Sequence, residues 1–344
     1  MAALVKYVDP DVVGGDGDGT SWDNAYASLN LCEAGQEQDL TDGGGDTMTI
    51  HCRGSADTTS VTFSGWTTSA TYYITIIGDD FPADGIYDGT KYVLHNNDTD
   101  GYALIINDDY IRIKNLQFAV TTSGTNQRIG INIASPIAAA NDIKISNCIV
   151  KGFCTGTGVG YGIRINDDDA IVTIYNTIIQ DFVSGADNNF GGILFSVANT
   201  VDMYNCTVTN CRWAIERAGG NVTVKNCAVF NNYSDFSGTI TVDYCASDDG
   251  DGTNAQDFTA EATDWNKVFE DYANGDFSLK NYTTSPCCVG VGTDNPGSGL
   301  YSDDITGAAR TSTWDIGAFE YIAAPPAGNA GIMTTNTGYW GATY

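Results

Sequence analysis

Two short strings hold side chains that could cleave a sugar chain. "GIRINDDDA" carries Arg164, Asp167, Asp168 and Asp169, and "RWAIERAGG" carries Glu216. Two carboxyl groups facing each other about 5–10 Å apart hydrolyse a glycosidic bond, one as acid and the other as base or nucleophile. Asp167, Asp168 and Glu216 are the candidates for such a pair. β-Elimination on a uronic-acid glycan needs a basic side chain beside carboxylates that hold Ca2+ on the substrate acid. Arg164 has no flanking carboxylate ladder, so this chemistry is poorly provided for. Asn-Asp-Asp is also ordinary turn chemistry, because these side chains bond their own backbone. Catalytic pair and turn both stay open at this point.

Calcium is the ion that the Asp-Gly strings would suit. Asp16 and Asp18 stand in "GGDGDGT", and Asp249, Asp251 and Asp257 in "DDGDGTNAQD". Alternating Asp with Gly lets oxygens converge on a hard cation, although neither string has the full EF-hand loop with its closing Glu. No spacing of Cys and His suits zinc, and the only histidines are His51 and His95. A metal is therefore not required, and calcium is the one cofactor to test for. A last set, Lys144, Tyr175, Tyr204 and Lys225 with Arg112 and Lys114, combines cations and rings that could bind an acidic glycan.

These residues are positioned by a repeat. "IKISNCIVKG" (143–152), "VDMYNCTVTN" (201–210) and "VTVKNCAVFNN" (222–232) are versions of one phrase. Aligned on its asparagine, the phrase gives Asn115, Asn147, Asn176, Asn205 and Asn226, with Tyr244 in the same slot. Repeats of this size mean stacked supersecondary units. Before the asparagine apolar residues alternate, as in Ile143/Ile145, Val201/Met203 and Val222/Val224; after it the alternation restarts. A third run precedes each unit: "GINIA", "GIRIN", "GILFS", "AIER". A period of two predicts strands with one face inward. We name the three strands of a unit leading, middle and trailing, with the asparagine between the last two. Three strands per unit, no helix between them and a bend at Asn predict an all-β, single-stranded right-handed parallel β-helix, a solenoid of roughly nine or ten coils. Asn suits the bend because it tolerates the left-handed conformation, and stacked amides can bond along the axis.

The solenoid pattern divides the chain into a capping segment (1–44), the coils (45–258), closing coils and cap (259–321), and a linker with an aromatic tail (322–344). In the first, Ser21 is expected to cap a helix that buries Trp22, Ala25, Leu29 and Cys32. In the last, Pro325 and Pro326 stiffen an extended tail, and Tyr339, Trp340 and Tyr344 are residue types that anchor interfaces. The outward stripe Ile149, Ile178, Ala228 and Ala246 is apolar, so a loop or a neighbour should cover it. Ile149 and Ile178 are thus candidates for an oligomer interface, as in a homotrimer. The ten cysteines are expected to be mostly free thiols, since a ladder of parallel Cβ vectors is poor geometry for disulfides.

Composition narrows the function. Lys and Arg number 15 against 43 acidic residues, for a net charge of −28. Nucleic acid is excluded as a partner, because phosphate contacts come from cations, and so is an anionic membrane face. The N-terminal residues lack the apolar stretch of a signal peptide, and no apolar run is long enough to span a bilayer. This pattern fits a protein made in a host cytoplasm and released by lysis.

"GGDGDGTSWDNAYASL", the Asn-Cys coils and "SPCCVGVG…DIGAFEY" together resemble the right-handed parallel β-helix superfamily, over about residues 7–321. Bacterial surface proteins, pectate-lyase-like enzymes and phage proteins share that pattern. Where a typical member has Asp after "SPC", this chain has "SPCCVGVG". The resemblance implies the fold; the superfamily hosts lyases, hydrolases, adhesins and inert spikes. The expected function is a non-enzymatic structural protein at a virion surface, such as a decoration, fibre or spike, that self-associates and docks on other virion proteins through its tail. Two alternatives stand beside it: a tailspike-like protein that binds or cleaves polysaccharide, and an extracellular or cell-surface bacterial adhesin.

Overall fold

The computed structural model describes residues 3–97, 101–134, 142–184, 189–197, 199–259, 265–311 and 313–323. The chain is a right-handed parallel β-helix with three stacked sheets. The middle strands form a sheet of nine, from Ala3–Val8 to Thr241–Asp243. The trailing sheet has eight, from Val93–Asn96 to Gln256–Asp257, and the leading sheet seven, from Val61–Phe63 to Ser234–Ser237.

The register confirms the inward columns. Ile113, Ile145, Ile174, Met203, Val224 and Val242 are successive partners in the middle sheet and all are buried. Phe118, Val150, Ile179, Val208 and Val229 do the same in the trailing sheet. Coil after coil, apolar area leaves water at about 25 cal/mol per Å2, which holds a fold that has almost no helix.

Asn147, Asn176, Asn205 and Asn226 turn the corner at φ of 48–54°, and Tyr244 does so at 51°. The amides touch along the axis: Asn176 Nδ2 donates to Asn147 Oδ1 (3.3 Å) and Asn226 Nδ2 to Asn205 Oδ1 (3.5 Å). The next residue explains the cysteines. Cys227 Sγ accepts from Cys206 N and Cys245 Sγ from Cys227 N, each at 3.4 Å, while each thiol reaches a corner carbonyl. All ten cysteines are free thiols. Burial pushes the Cys148 thiol up to about 12 and the Cys227 thiol well above its ordinary value, so these two stay protonated and unreactive at neutral pH.

Two expectations are corrected. The N-terminal helix is Leu29–Gln36 and its cap is Ser28, whose Oγ accepts from Leu31 N at 3.2 Å. Ser21 makes no capping bond, and Trp22–Asn24 is a single 3-10 turn. Buried Asp57 also accepts from Leu29 N (2.7 Å), placing a carboxyl at the helix N-terminus, and Leu29 and Cys32 face the core as expected. The second correction concerns Ile149 and Ile178. Both are fully buried, with Ala228 and Ala246, beneath the chain's own C-terminal segment. The apolar stripe is real, but its cover is intramolecular, so these residues form no free face for a neighbouring subunit.

That cover packs by aromatic stacking. Trp265 lies between Phe230 (4.3 Å) and Phe258 (4.1 Å), and Phe269 stacks on Phe230 (4.9 Å). The antiparallel pair Phe269–Asp271 and Asp276–Leu279 follows, and the chain then runs along the asparagine corners to Ala323.

Candidate functional site

On the outer face of the leading sheet one predicted acid, Glu216, meets a tyrosine hydroxyl. Asn132, Arg164, Leu194, Glu216 and Ser237 form one outward column, and Tyr161, Gly191, Trp213 and Ser234 the next. The Tyr161 hydroxyl donates to Glu216 Oε2 at 3.4 Å across the intervening coil. Gly191 makes this reach possible, since a Cβ there would lie 2.7 Å from the Tyr161 ring. Burial pushes both the Glu216 carboxyl and the Tyr161 hydroxyl up. A half-buried carboxyl on an outer face is a group poised to bind or to move a proton.

A cation and two rings stand at the edge of this face. The Arg212 guanidinium lies 3.3 Å over the Tyr233 ring, and Trp213 meets Tyr233 edge-on at 5.6 Å and 87°. Tyr233 is 64% exposed. Reading the sequence missed Tyr161, Arg212 and Tyr233. The run Arg-Trp-Ala-Ile-Glu in 212–216, with a cation, a ring and an acid within five residues, was the available signal.

Asp167 and Asp168 do not join Glu216 as a pair. Asp167 is buried at the turn after Val159–Asn166, where its Oδ1 accepts from Asp169 N at 3.0 Å, while Asp168 is exposed. Arg164 is spent on Asn166 Oδ1 (3.1 Å) and Gln127 Oε1 (3.4 Å).

The glycan candidates separate in space. Tyr175, Tyr204 and Lys225 share one column of the middle sheet, whereas Lys144 aligns with Arg112 and Thr173 in another. Lys144 and Arg112 both pair with Asp142, at 2.9 and 2.7 Å. Tyr175 is stacked under Tyr301 of the C-terminal segment (4.6 Å, 15°), and burial pushes Tyr204 up to about 12. Lys225 and Tyr204 keep partial exposure.

Of the five aspartates in the two Asp-Gly strings, Asp18, Asp249 and Asp257 accept from backbone N–H groups in this structure. Asp18 Oδ1 accepts from Thr20 N and Oγ1, Asp16 N bonds Asn24, and Asp249 Oδ2 accepts from Asp235 N at 3.0 Å. Asp251 is held up by burial and by Asp249. Among the described residues no three carboxylate, thiol or imidazole side chains gather as a metal set. Tyr339, Trp340 and Tyr344 lie outside the described residues.

No protein-family model and no curated protein matches the chain. Among solved structures it is similar in architecture to one titled "Crystal structure of pectate lyase Pel9A". The two align over 94% of this chain and 97% of that one, at 15% identity and a TM-score of 0.41.

Proposed function

We propose that this protein is a non-enzymatic rod at the surface of a virus particle, attached through the sequence that follows Ala323. The observation that carries this reading is the way the cover is fastened to the solenoid. Asn176, Asn205 and Asn226 donate to Asp303 O, Asp315 O and Thr293 O, each at 2.8 Å, and Tyr301 Oη donates back to Asn205 Oδ1 at 2.7 Å. Cover and coils therefore act as one stiff body. The cover is described as far as Ala323, with Ile322 65% exposed, and the sequence beyond carries Tyr339, Trp340 and Tyr344 as anchors. Neither calcium nor another cofactor is needed for this role. The full chain is expected to co-sediment with particles, and a chain ending at Ala323 to lose that association while keeping its fold by circular dichroism. Equal association of both forms would refute the attachment.

The second reading, a glycan-binding face, is favoured by Arg212, Trp213 and Tyr233 beside the Tyr161–Glu216 pair. Tyr233→Ala is expected to weaken retention in polysaccharide affinity gels about five- to tenfold, from loss of roughly 1 kcal/mol of ring contact. Retention of no polysaccharide in a panel of acidic and neutral chains would end this reading. Release of reducing ends, abolished in Glu216→Gln, would turn it into an enzyme.

A further inference from the structure

The corner asparagines turn the chain, and three of them also grip the cover. Asn176, Asn205 and Asn226 each donate Nδ2 to a main-chain carbonyl of the cover at 2.8 Å, and Asn226 Oδ1 accepts from Thr293 N at 2.8 Å. The next two amides of the column have no such partner. Asn147 is only 6% exposed and its Oδ1 is taken by Asn176, yet its Nδ2 donates to nothing among the described residues. Asn115, one coil further on, is half-buried, and its Nδ2 likewise finds no acceptor among them.

These amides open onto space. Two hollows of about 240 and 260 Å3 meet at Lys114, Asn147 and Asp303, and Asn115 lines the first. The walls of the first are the turn 303–307 of the cover and the loop 79–83. A nearly buried amide without an acceptor is disfavoured, so the empty rung points to a carbonyl from outside the described residues. Lys114 is exposed and forms no ion pair among the described residues, while Asp79 and Asp303 bring carboxylates to the same walls. A free anion or cation would meet a like charge here. A peptide main chain is neutral and carries both C=O for the amides and Lys114 and N–H for the carboxylates.

We propose that residues 327–338 of this chain lie in that groove and extend the cover over Asn147 and Asn115. The described residues end beside it: Ile322 lines a neighbouring hollow that shares Thr306 with the first. From Ile322 five extended residues reach up to roughly 17 Å, and Pro325 and Pro326 favour an extended path. The sequence suits a narrow site that reads main chain. Ten of the twelve residues in "AGNAGIMTTNTG" are Gly, Ala, Asn or Thr, so the backbone can come close, and 324–344 has no charged residue to meet the acidic surface. Docked in this way, the segment leaves Tyr339, Trp340 and Tyr344 beyond the groove. The contact lies within one chain and needs no particle.

Hydrogen exchange on the isolated full chain tests this. Amides in 327–338 should exchange about tenfold more slowly than in a synthetic peptide of the same sequence, and equally so at about 1 and 100 µM protein. Asn147→Asp tolerates the same corner conformation and keeps the oxygen that Asn176 uses, but removes the donor. Exchange in 327–338 should then come within about twofold of the peptide rate, with protection of the inward columns unchanged. Lys114→Ala, at an exposed position, should speed exchange in 327–338 about threefold, and it decides the matter if Asn147→Asp disturbs the coils. Exchange of 327–338 at the peptide rate in the parent chain would leave water as the partner of Asn147 and overturn the proposal. So would protection that both variants leave intact, or protection seen only at the higher concentration, which would place a second copy in the groove. Particle association is measured separately, so its loss or retention does not alter these outcomes.

Discussion

Arg310→Met is expected to release the C-terminal cover while leaving the coils folded. Arg310 has a fully buried side chain and joins three parts of the chain. It pairs with Glu320 Oε2 at 3.4 Å, donates to Asn176 Oδ1 in the corner column at 2.9 Å, and donates to Asp303 O at 3.1 Å and Ala318 O at 3.2 Å in the cover. Glu320 is equally buried and holds Thr311 N at 2.8 Å and Asp315 N at 3.1 Å. Methionine fills the volume but leaves Glu320 charged and unpaired, and removing one partner of a buried pair typically costs about 3–5 kcal/mol. That loss falls on the cover. The apolar columns centred on Ile145, Ile174 and Met203 do not touch Arg310, so they should keep their protection. Hydrogen exchange read peptide by peptide checks this: protection across 269–322 should drop together with that of Ile149 and Ile178, with little change in the inward columns. Lys at 310 should rescue only in part, because it keeps the charge but lacks the fork that serves Glu320 and Asn176 at once. Unchanged exchange in 269–322 would show that the stacked rings around Trp265 hold the cover unaided.

How much of this was legible depended on whether the pattern was local. The coils could be read because each inward residue is announced within its own strand: Ile143 and Ile145, then Asn147 to turn, then Cys148 and Val150. A second corner was equally readable and went unused. Asp181, Asn210 and Asn231 stand five residues after Asn176, Asn205 and Asn226, and all three adopt positive φ. The helix cap was misplaced by seven residues because Ser21 and Ser28 offer the same hydroxyl, and only burial of Leu29 and Cys32 distinguishes them. The cover could not be read, since 259–321 follows no period of two or 3.6. The apolar stripe at Ile149 and Ile178 showed that something lies over it without showing what. The Tyr161–Glu216 contact joins residues 55 apart through the register of Gly191, and no single coil predicts it. Lys144 fell away from Tyr175 for a related reason: two residues along a strand is one side chain over on the same face.

Acid is expected to stabilise this protein over the range in which many proteins are near their optimum. Asp235 is the main reason. It is 1% exposed, its oxygens accept from Asn232 Nδ2 (2.8 Å) and Asp248 N (2.9 Å), and burial, with Asp249 and Asp248 nearby, pushes its carboxyl up to about 8. In the unfolded chain the group ionises near its ordinary 3.8. Between those two values only the folded chain holds the proton, so stability falls as pH rises, by up to about 1.4 kcal/mol per pH unit. The stabilisation is fully present below about 3.8 and gone above about 8. From pH 5 to 7 this one group takes away up to roughly 3 kcal/mol. Asp108 and Asp315, both pushed up to about 6 by burial, act in the same direction over the lower part of the window. A melting temperature about 5 °C higher at pH 5 than at pH 7.5 is the expected result. Relief of self-repulsion in so acidic a chain has the same sign, and two variants separate the causes. Asp235→Asn removes the titrating group and should flatten the slope, although its absolute stability gains little because the new NH2 faces a donor, Asn232 Nδ2 or Asp248 N. Replacing an exposed carboxylate, as in Asp294→Asn, removes the same charge and should leave the slope in place. Stability that rises from pH 5 to 7, or equal slopes in Asp235→Asn and the parent chain, would mean that Asp235 is ionised within the fold and that the 231–249 turns are held together by its charge.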